Sequence, residues 1–476
     1  MKQLLLASYK TASQYPIVKA PIAEQLYFPI TDHHVLVKPG EYVTTGQCLA
    51  LPDNDKATAI HASSSGSLQG IMPYGHTPCI TLHTDGKDEC YPQYPIMDYK
   101  KLSPQTLIEK IQAAGIIGLG GAGFNSALKI KSAQKPQQLI INGVECEPYI
   151  CADDSLMQTK SAEIIRGVEI LCYILGLSTA TIAIEHDKSL ALQALMAEYS
   201  TTITIIPVPT YYPAGSERQL IAFINRQEIP SQYYPSDIGI ICLNVATVVA
   251  IYRAITYDEP LISRITTLAG DAINQPRNYE VRIGTPLLDL LKFAGIDNDK
   301  LLHLSQGGPM MPSLLPHAKM PLLKTTNCIL ASYQAPAHTT EMPCIRCGDC
   351  NTVCPMHLQP VSLYWHAKHQ QDEALERAHL FDCIECGCCD YVCPSHIPLT
   401  DYYQQAKQRL KQQHTEKARA ELAKERFNNR QARLARTIHA TSPLIPAAIS
   451  QEDKRQAIQL VMAKAKQNRE QEQSGE

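Results

Sequence analysis

The spacing of hydrophobic and polar residues changes several times along the chain, and each change predicts a different kind of structure. Residues 1–100 alternate over short runs, such as 35–43, and these runs are interrupted at Pro39-Gly40 and at Thr45-Gly46. Short alternating runs that are separated by turn residues are typical of β-strands. We therefore predict a small all-β domain over residues 1–100.

From about residue 101 the pattern alternates between helices and buried strands. Ser103 and Pro104 open an amphipathic run that ends at Gly115, and serine and glycine are favoured at these two ends of a helix. Apolar runs that predict buried strands lie at 138–142, 180–185, 204–208 and 237–244. Strands that alternate with helices predict an α/β domain with a largely parallel sheet over residues 101–262.

The remainder of the chain divides into three further segments. Residues 263–335 return to short strands with one helix near 286–295, which predicts a compact α+β module. Residues 336–402 carry a dense group of cysteines, and residues 403–476 are rich in Gln, Ala, Lys and Arg. We predict a basic helical or disordered tail over 403–476, because it has little apolar surface to bury. The predicted fold class is therefore multidomain, α/β and α+β.

Eight cysteines between Cys344 and Cys393 repeat one spacing. Each run reads C-x2-C-x2-C-x3-C-P, which is the spacing of bacterial ferredoxins, where the fourth cysteine of a run binds the cluster of the other run. The predicted ligands of one [4Fe-4S] cluster are Cys344, Cys347, Cys350 and Cys393. The predicted ligands of the second are Cys383, Cys386, Cys389 and Cys354. Zinc sites do not need the third cysteine of each run, and we interpret the additional Cys388 as a buried thiol.

Composition limits the function classes. The 476 residues suggest three or four domains, and a net charge of −3 gives no reason to expect nucleic acid as a partner. No apolar run approaches the ~18 residues of a membrane-spanning helix, so any membrane association is expected to be peripheral. The nine cysteines that are not predicted cluster ligands show no pairing pattern, which favours a reducing cytoplasm over disulfides.

Two segments of the α/β domain are candidate cofactor sites. Glycines can bring the backbone close to a phosphate or a ring, and four of them precede a helix: Gly118, Gly120, Gly121 and Gly123, with Lys129 inside that helix. An acidic turn follows the strand at 138–142, at the edge of the sheet where ligands bind; it contains Asn142, Glu145 and Glu147. A helix rather than a strand precedes the glycines, which is unlike the usual dinucleotide fingerprint. A tight turn and a solvated loop are the alternative interpretations.

Together the two segments resemble the flavin- and NADH-binding subunit of respiratory complex I. The resemblance rests on Gly-Leu-Gly-Gly-Ala-Gly-Phe at 118–124, on Asn-Gly-Val-Glu-Cys-Glu-Pro at 142–148, and on the segments that begin at Gly215 and Asn244. It implies that the glycine loop, Lys129, the acidic turn, Glu217 and Asn244 bind FMN and NADH. No acid–base or nucleophilic catalytic residue is predicted.

The order of the domains is similar to that of the C subunit of the Rnf (Rsx) ion-translocating electron-transport complex. The segments 141–154 and 307–311 carry this resemblance, which covers about residues 30–400. It implies a barrel-sandwich domain, a flavin/NADH domain, a soluble-ligand-binding β-grasp module and a two-cluster ferredoxin domain. It further implies an NAD(H)-linked, ion-translocating oxidoreductase subunit that passes electrons between NAD(H), FMN and two [4Fe-4S] clusters. Its partners would be integral membrane subunits and a ferredoxin or other redox protein, on the cytoplasmic side of the bacterial inner membrane.

Two other functions stay open. One is a soluble flavoprotein of the cobalamin reductase type, which has the same domain order. The other is a relay or docking subunit that keeps its clusters and lacks flavin. The second is motivated by departures from the family pattern at Asn125, at Ser216 and at residues 232–234.

Overall fold

A computed structural model describes residues 3–133, 135–198, 200–231, 233–315, 317–334, 340–441 and 450–472. The chain forms two compact units, residues 1–405 and 406–476. The first unit contains β-sheets, α/β layers and a helical cysteine-rich part, so the predicted multidomain α/β and α+β fold class is confirmed. The domain bounds given above stay predictions.

The N-terminal β domain contains two antiparallel sheets. Its strands are β2 (Gln25–Pro29), β3 (His33–Val35), β4 (Tyr42–Val43), β5 (Cys48–Pro52), β6 (Ile60–His61), β7 (Gly66–Tyr74) and β8 (Thr77–Thr84). The strand orders are β2-β8-β7-β4 and β3-β5-β6. Alternating side chains face the core, where Leu26, Leu49 and Leu82 are completely buried. Pro39-Gly40 forms the predicted turn, with Gly40 at φ +81°.

The α/β domain is built on a four-stranded parallel sheet. Its strands are β9 (Gln138–Gly143), β10 (Ala180–Glu185), β11 (Ile203–Val208) and β12 (Ile240–Asn244), in the order β11-β10-β9-β12. The helices are α1 (Pro104–Ala113), α2 (Ser126–Ser132), α3 (Ala152–Thr159), α4 (Ser161–Leu175), α5 (Ser189–Ala197), α6 (Glu217–Asn225) and α7 (Val245–Thr256). The strand order reverses between β9 and β12, and ligands of such sheets bind beyond the carboxyl ends of the strands at this reversal. Asn142 and Asn244 lie at those two ends.

A fourth sheet is mixed. Its strands are β1 (Val18–Lys19), β13 (Ser263–Ala269), β14 (Arg277–Arg282), β15 (His303–Gln306), β16 (Ser313–Leu314) and β17 (Cys328–Ser332), with helix α8 (Leu287–Phe293) packed on it. Their order is β1-β14-β13-β17-β15-β16. The predicted α+β module is therefore present. Strand β1, however, comes from the N-terminal segment that we assigned to the β domain, and it pairs in parallel with β14.

The cysteine-rich part of the first unit is helical. Its short helices are α9 (Asp349–Val353), α10 (Pro360–Lys368), α11 (Asp372–Arg377) and α12 (Cys388–Tyr391). Short 3₁₀ turns occur elsewhere in the first unit and here, at Thr11–Gln14, Tyr99–Lys101, Pro235–Ile238, Asn298–Lys300 and Leu380–Asp382. The two cysteine runs lie at the N-terminal ends of α9 and α12.

The tail is helical wherever the structure describes it. Helix α13 (Leu399–Thr441) reaches into the second unit, and helix α14 (Gln451–Glu472) lies within it. Their exposed faces are mostly polar, in keeping with the basic composition of the tail. Across the described ranges, no helix has both the length and the hydropathy that crossing a bilayer requires.

Lys324 joins three parts of the first unit through one buried ammonium group. Its Nζ donates to Ala59 O (2.8 Å) and Thr58 Oγ1 (3.2 Å) of the β domain and to Gly115 O (2.7 Å) after helix α1. Burial lowers the pKa of Lys324 to about 7, while the three oxygen acceptors stabilise the protonated form. The lysine therefore holds the β domain, the α/β domain and the module of the fourth sheet together.

We expect Lys324→Met to lower the midpoint of thermal unfolding, measured by differential scanning fluorimetry. The substitution leaves the carbonyls of Ala59 and Gly115 buried without this donor, at a cost of about 2 kcal/mol. The control is Lys319→Met, because Lys319 is exposed nearby in the chain. Equal midpoints for the two variants would contradict the bridging role.

Candidate cofactor cavity and cysteine rings

The structure gathers the eight cysteines of the two runs into two rings, each around a small cavity. One cavity is lined by Cys344, Cys347, Cys350 and Cys393. The other is lined by Cys354, Cys383, Cys386 and Cys389, together with Cys388. In both rings the fourth cysteine comes from the opposite run, as the spacing predicted. The ligation of clusters by these residues stays a prediction that this grouping supports.

The backbone repeats itself in the two runs. Arg346 and Glu385 occupy matching places before the second cysteine and both have φ +55°, while Gly348 and Gly387 follow that cysteine with φ +84° and +72°. Non-glycine residues with positive φ are uncommon and cost about 1–3 kcal/mol each. The same costly conformation in both runs indicates that each loop is shaped to wrap around one bound group.

The geometry does not favour the alternatives of disulfides or zinc. None of the seventeen cysteines forms a disulfide. Within the described ranges, no three His, Cys, Asp or Glu side chains are arranged to hold a single metal ion. A ring of thiolates around a four-iron cluster is wider than a single-ion site, because each sulfur binds a different iron. Burial raises the pKa of Cys350 to about 11, so a thiolate there needs the positive charge that iron supplies.

A larger cavity of about 570 Å³ lies where the strand order of the α/β sheet reverses. Most of the residues that we predicted for cofactor binding line it: Gly118, Gly120, Gly121, Lys129, Asn142, Glu145, Glu147, Glu217 and Asn244. Gly123 does not line the cavity. Its φ of +66° and the contact that a Cβ would make with Thr325, at 2.8 Å, give it a role in turning the loop.

The glycine loop is held in place by residues that sequence analysis missed. Gly118 N donates to Phe124 O (2.7 Å), which closes the loop on itself. Behind it, Leu119 N donates to Thr247 Oγ1 (2.9 Å) and the buried Arg264 donates to Leu119 O (3.0 Å). No local pattern could have indicated these partners, because both lie far from the loop in the sequence. Thr247 and Arg264 hold one face of the glycine loop, and its other face is open to the cavity.

The acidic turn contributes two differently held carboxylates. Glu145 accepts the N–H groups of Asp153 and Asp154 (2.9 Å each) at the start of helix α3, where a helix favours negative charge. Burial and the nearby Asp153 nevertheless raise the pKa of Glu145 to about 8. Glu147 accepts Met310 N (3.2 Å) from the loop between β15 and β16 of the fourth sheet, and burial raises the pKa of Glu147 to about 7.

The polar side chains at the two strand ends are engaged with protein groups. Asn142 donates to Gly215 O (2.8 Å), and Asn244 Oδ1 accepts Ala246 N (2.9 Å) at the start of helix α7. Lys129 and Glu217 form an ion pair at 2.7 Å along one wall. These residues therefore shape the cavity and fix its charge.

The departures from the family pattern do not fill the cavity. Asn125 caps helix α2 through Leu128 N (3.2 Å) and also donates to Asp55 O (3.1 Å), so it fastens the loop to the β domain. Ser216 lines the cavity with a small hydroxyl group. Tyr234 is exposed, and Gln232 lies outside the described residues.

The cavity reaches the cysteine-rich part of the chain. Ile384 and Cys386 form part of its lining. The buried hydroxyl of Tyr212 donates to Cys386 O (2.8 Å), which ties the α/β domain to the second ring. A ligand in the cavity would therefore lie beside the ring that contains Cys386. Sequence analysis had no signal for Tyr212.

Four family models match the chain in the order of the domains described above. They are an RnfC barrel sandwich hybrid domain at residues 5–87, a Nuo51 FMN-binding domain at 111–253, an SLBB domain at 265–313 and a 4Fe-4S dicluster domain at 343–397. The second and fourth ranges contain the glycine loop with the acidic turn, and the cysteine runs.

Several curated relatives are named as the C subunit of an ion-translocating oxidoreductase complex. The protein of Pseudomonas aeruginosa is 43% identical over 449 residues, covering 91% of this chain and 58% of the relative. The protein of Haemophilus influenzae strain PittEE is 41% identical, covering 89% and 68%. The protein of Vibrio cholerae is 44% identical, covering 89% and 57%. The chain thus spans between one half and about two thirds of the length of these relatives.

Among solved structures, an NAD+-reducing [NiFe]-hydrogenase in the air-oxidised state superposes with a TM-score of 0.43 at 20% identity. The match covers 59% of this chain and 54% of the hydrogenase chain. A score of this size does not establish a shared fold.

We expect Cys350→Ala to lower the iron content of anaerobically reconstituted protein from about eight atoms per chain to about four, because one ring of ligands is broken. Iron and sulfide analysis measures the change. The matched control is Cys388→Ala, which removes a buried thiol next to the second ring that is not a predicted ligand. Unchanged iron in Cys350→Ala, or lost iron in Cys388→Ala, would contradict the ligand assignment.

Proposed function

The chain belongs to the family of C subunits of ion-translocating oxidoreductase complexes, and we propose that it passes electrons between NAD(H), FMN and two [4Fe-4S] clusters. Its partners in this proposal are the integral membrane subunits of such a complex. It would act as a peripheral subunit on the cytoplasmic side of the bacterial inner membrane, with a ferredoxin or another redox protein as the further electron partner.

One observation carries the proposal. The glycine loop, the acidic turn and Cys386 all line a single cavity. A flavin bound there would exchange a hydride with a nicotinamide and single electrons with a cluster. The residues around the cavity then have the tasks of binding, orienting and excluding water.

The cavity fits a flavin nucleotide in size and in its lining. Its volume lies within the usual range of about 300–1,000 Å³ for small-molecule sites. A Cβ at Gly121 would point into open space, so this glycine leaves room for a ligand. Ser126 also lines the cavity, and its buried hydroxyl has no hydrogen-bond partner among the described residues. A buried hydroxyl of this kind is costly unless a ligand or water satisfies it.

The two cysteine rings differ in exposure, which supports an order for electron transfer. Cys386 and Cys389 of the ring beside the cavity are buried, whereas Cys347 of the other ring is exposed. Ile345, next to that ring, is 69% exposed. Electrons would therefore enter or leave the protein at the ring that contains Cys347 and reach the cavity through the ring that contains Cys386.

The open cavity supports the flavin-containing function over the flavin-less relay. Asn125, which motivated the relay, is turned towards the β domain, and Ser216 is too small to fill the site. Family membership favours a subunit of an ion-translocating complex over a soluble cobalamin reductase. Oxidoreduction with NAD(H) and coupling to ion transport remain parts of the proposal.

An anaerobic titration with NADH, followed by visible and EPR spectroscopy, tests the proposed function on the full chain. We expect bound flavin to bleach and cluster signals of reduced iron to appear as NADH is added. Protein that contains both clusters, lacks flavin and does not respond to NADH would instead support the relay.

The Gly121→Val substitution is expected to reduce the FMN content of purified protein strongly while leaving iron unchanged, because the side chain would occupy the cavity. Gly121 has φ +110°, so any side chain also adds backbone strain there. Gly176→Val controls for strain, since Gly176 ends helix α4 at φ +67° with open space around it. Full FMN occupancy in Gly121→Val would show that the loop is only a turn.

A further inference from the structure

The N-terminal strap, residues 3–17, crosses from the cysteine rings to the back of the acidic turn. Leu4 pairs with Tyr212 through the backbone (2.9 Å), and the Leu4 and Leu6 side chains pack in the core cluster that includes Cys386. Farther along, Tyr9 N donates to Pro148 O (2.9 Å) and the Tyr9 ring stacks on Tyr149 at 4.8 Å. The strap is therefore fixed at both ends of its path.

Lys10 of the strap places its ammonium group among buried acidic side chains. Its side chain is only 8% exposed, its Nζ donates to the main-chain oxygen of Glu145, and it lies 3.7 Å from Glu185 Oε2. Glu185 is completely buried at the end of β10, and burial raises its pKa while Lys10 opposes that rise. Lys10 also lowers the pKa of Glu145 and so favours its charged form.

The charge around Lys10 is otherwise predominantly negative. The charged groups that face the acidic turn from the surrounding elements are Glu145, Glu147, Asp153, Asp154, Glu185 and Asp187, against Lys10, Lys188 and Arg264. Lys188 lies 3.6 Å from Asp187, and Arg264 supports the glycine loop. Among these cations, Lys10 is the one that contacts the backbone of the acidic turn directly.

We propose that Lys10 is a positioning residue for the dinucleotide, acting through the acidic turn from outside the cofactor cavity. Lys10 does not line that cavity, whereas Glu145 and Glu147 do. Its hydrogen bond fixes the turn, and its charge offsets carboxylates that would otherwise repel the pyrophosphate of NAD(H). This inference rests on the function proposed above.

The loss of Lys10 should have a different effect from the loss of an ordinary structural contact. Its ammonium group acts on the charge and placement of the acidic turn, so its loss should weaken dinucleotide binding while both cysteine rings stay intact. Protonation of the carboxylates at lower pH removes part of the uncompensated negative charge. Burial raises the pKa of Glu145 to about 8 even though Lys10 opposes the rise. Without Lys10 that pKa is higher still, so the loss of affinity should shrink as the pH falls from 9 to 6 and the carboxylates become protonated.

The test measures NAD+ binding to the oxidised, FMN- and cluster-loaded full chain by isothermal titration calorimetry between pH 6 and 9. We expect Lys10→Met to raise the Kd for NAD+ by about tenfold at pH 9, the effect of leaving buried charges without a partner, and by less at pH 6. Iron and FMN contents should match the wild type. Lys10→Arg, which keeps the charge, should restore most of the affinity.

Lys19→Met is the matched control, because Lys19 follows the strap on β1 with an exposed side chain. A Kd for Lys10→Met equal to that of the control would overturn the inference, as would a loss of affinity that is independent of pH and is not rescued by Lys10→Arg. Wild-type protein that binds no NAD+ would instead overturn the proposed function, so the two failures are distinguishable.

Discussion

Close packing of three domains around Tyr212, Met310 and Cys386 is the constraint on which the rest of the first unit depends. The three side chains belong to one buried cluster, and each comes from a different domain. Electron transfer requires that redox groups lie close together, so the cofactor cavity and a cysteine ring must share a wall. Two glycines allow this approach. A Cβ at Gly387 would lie 2.3 Å from Met310 O, and one at Gly308 would lie 2.2 Å from Glu147 Oε2.

The packing of the three domains also removes charged side chains of the acidic turn from water. A turn that lies between two domains loses contact with water, so Glu145 is buried and Glu147 is half-buried. Buried carboxylates are tolerated only when hydrogen bonds or cations compensate for the lost water. Here the start of helix α3 supplies N–H donors to Glu145, the backbone of Met310 supplies one to Glu147, and the strap supplies Lys10. Two of these three sources, Met310 and Lys10, lie more than 130 residues away from the turn in the sequence.

This distribution explains which features could be predicted from the sequence. The cysteine runs, the parallel strands and the glycine loop are local patterns, and a local pattern determines local geometry. The four apolar runs between 138 and 244 each form a strand of the parallel sheet, and Ser103 caps helix α1 as expected. Lys10, Tyr212 and Arg264 could not be found in this way, because their partners lie about 130 to 175 residues away. The assignment of the N-terminal segment to the β domain overlooked the strap for the same reason.

The repeated backbone of the cysteine runs shows how local and long-range requirements combine. Positive φ at Arg346 and Glu385 disfavours these loops on their own. Packing supports this conformation in the ring beside the cavity, because Tyr212 donates to Cys386 O and Met310 packs against Gly387. The other ring is more exposed, with Cys347 at the surface. Its loop therefore has less packing to hold the same backbone conformation, so its shape should depend more on a bound group.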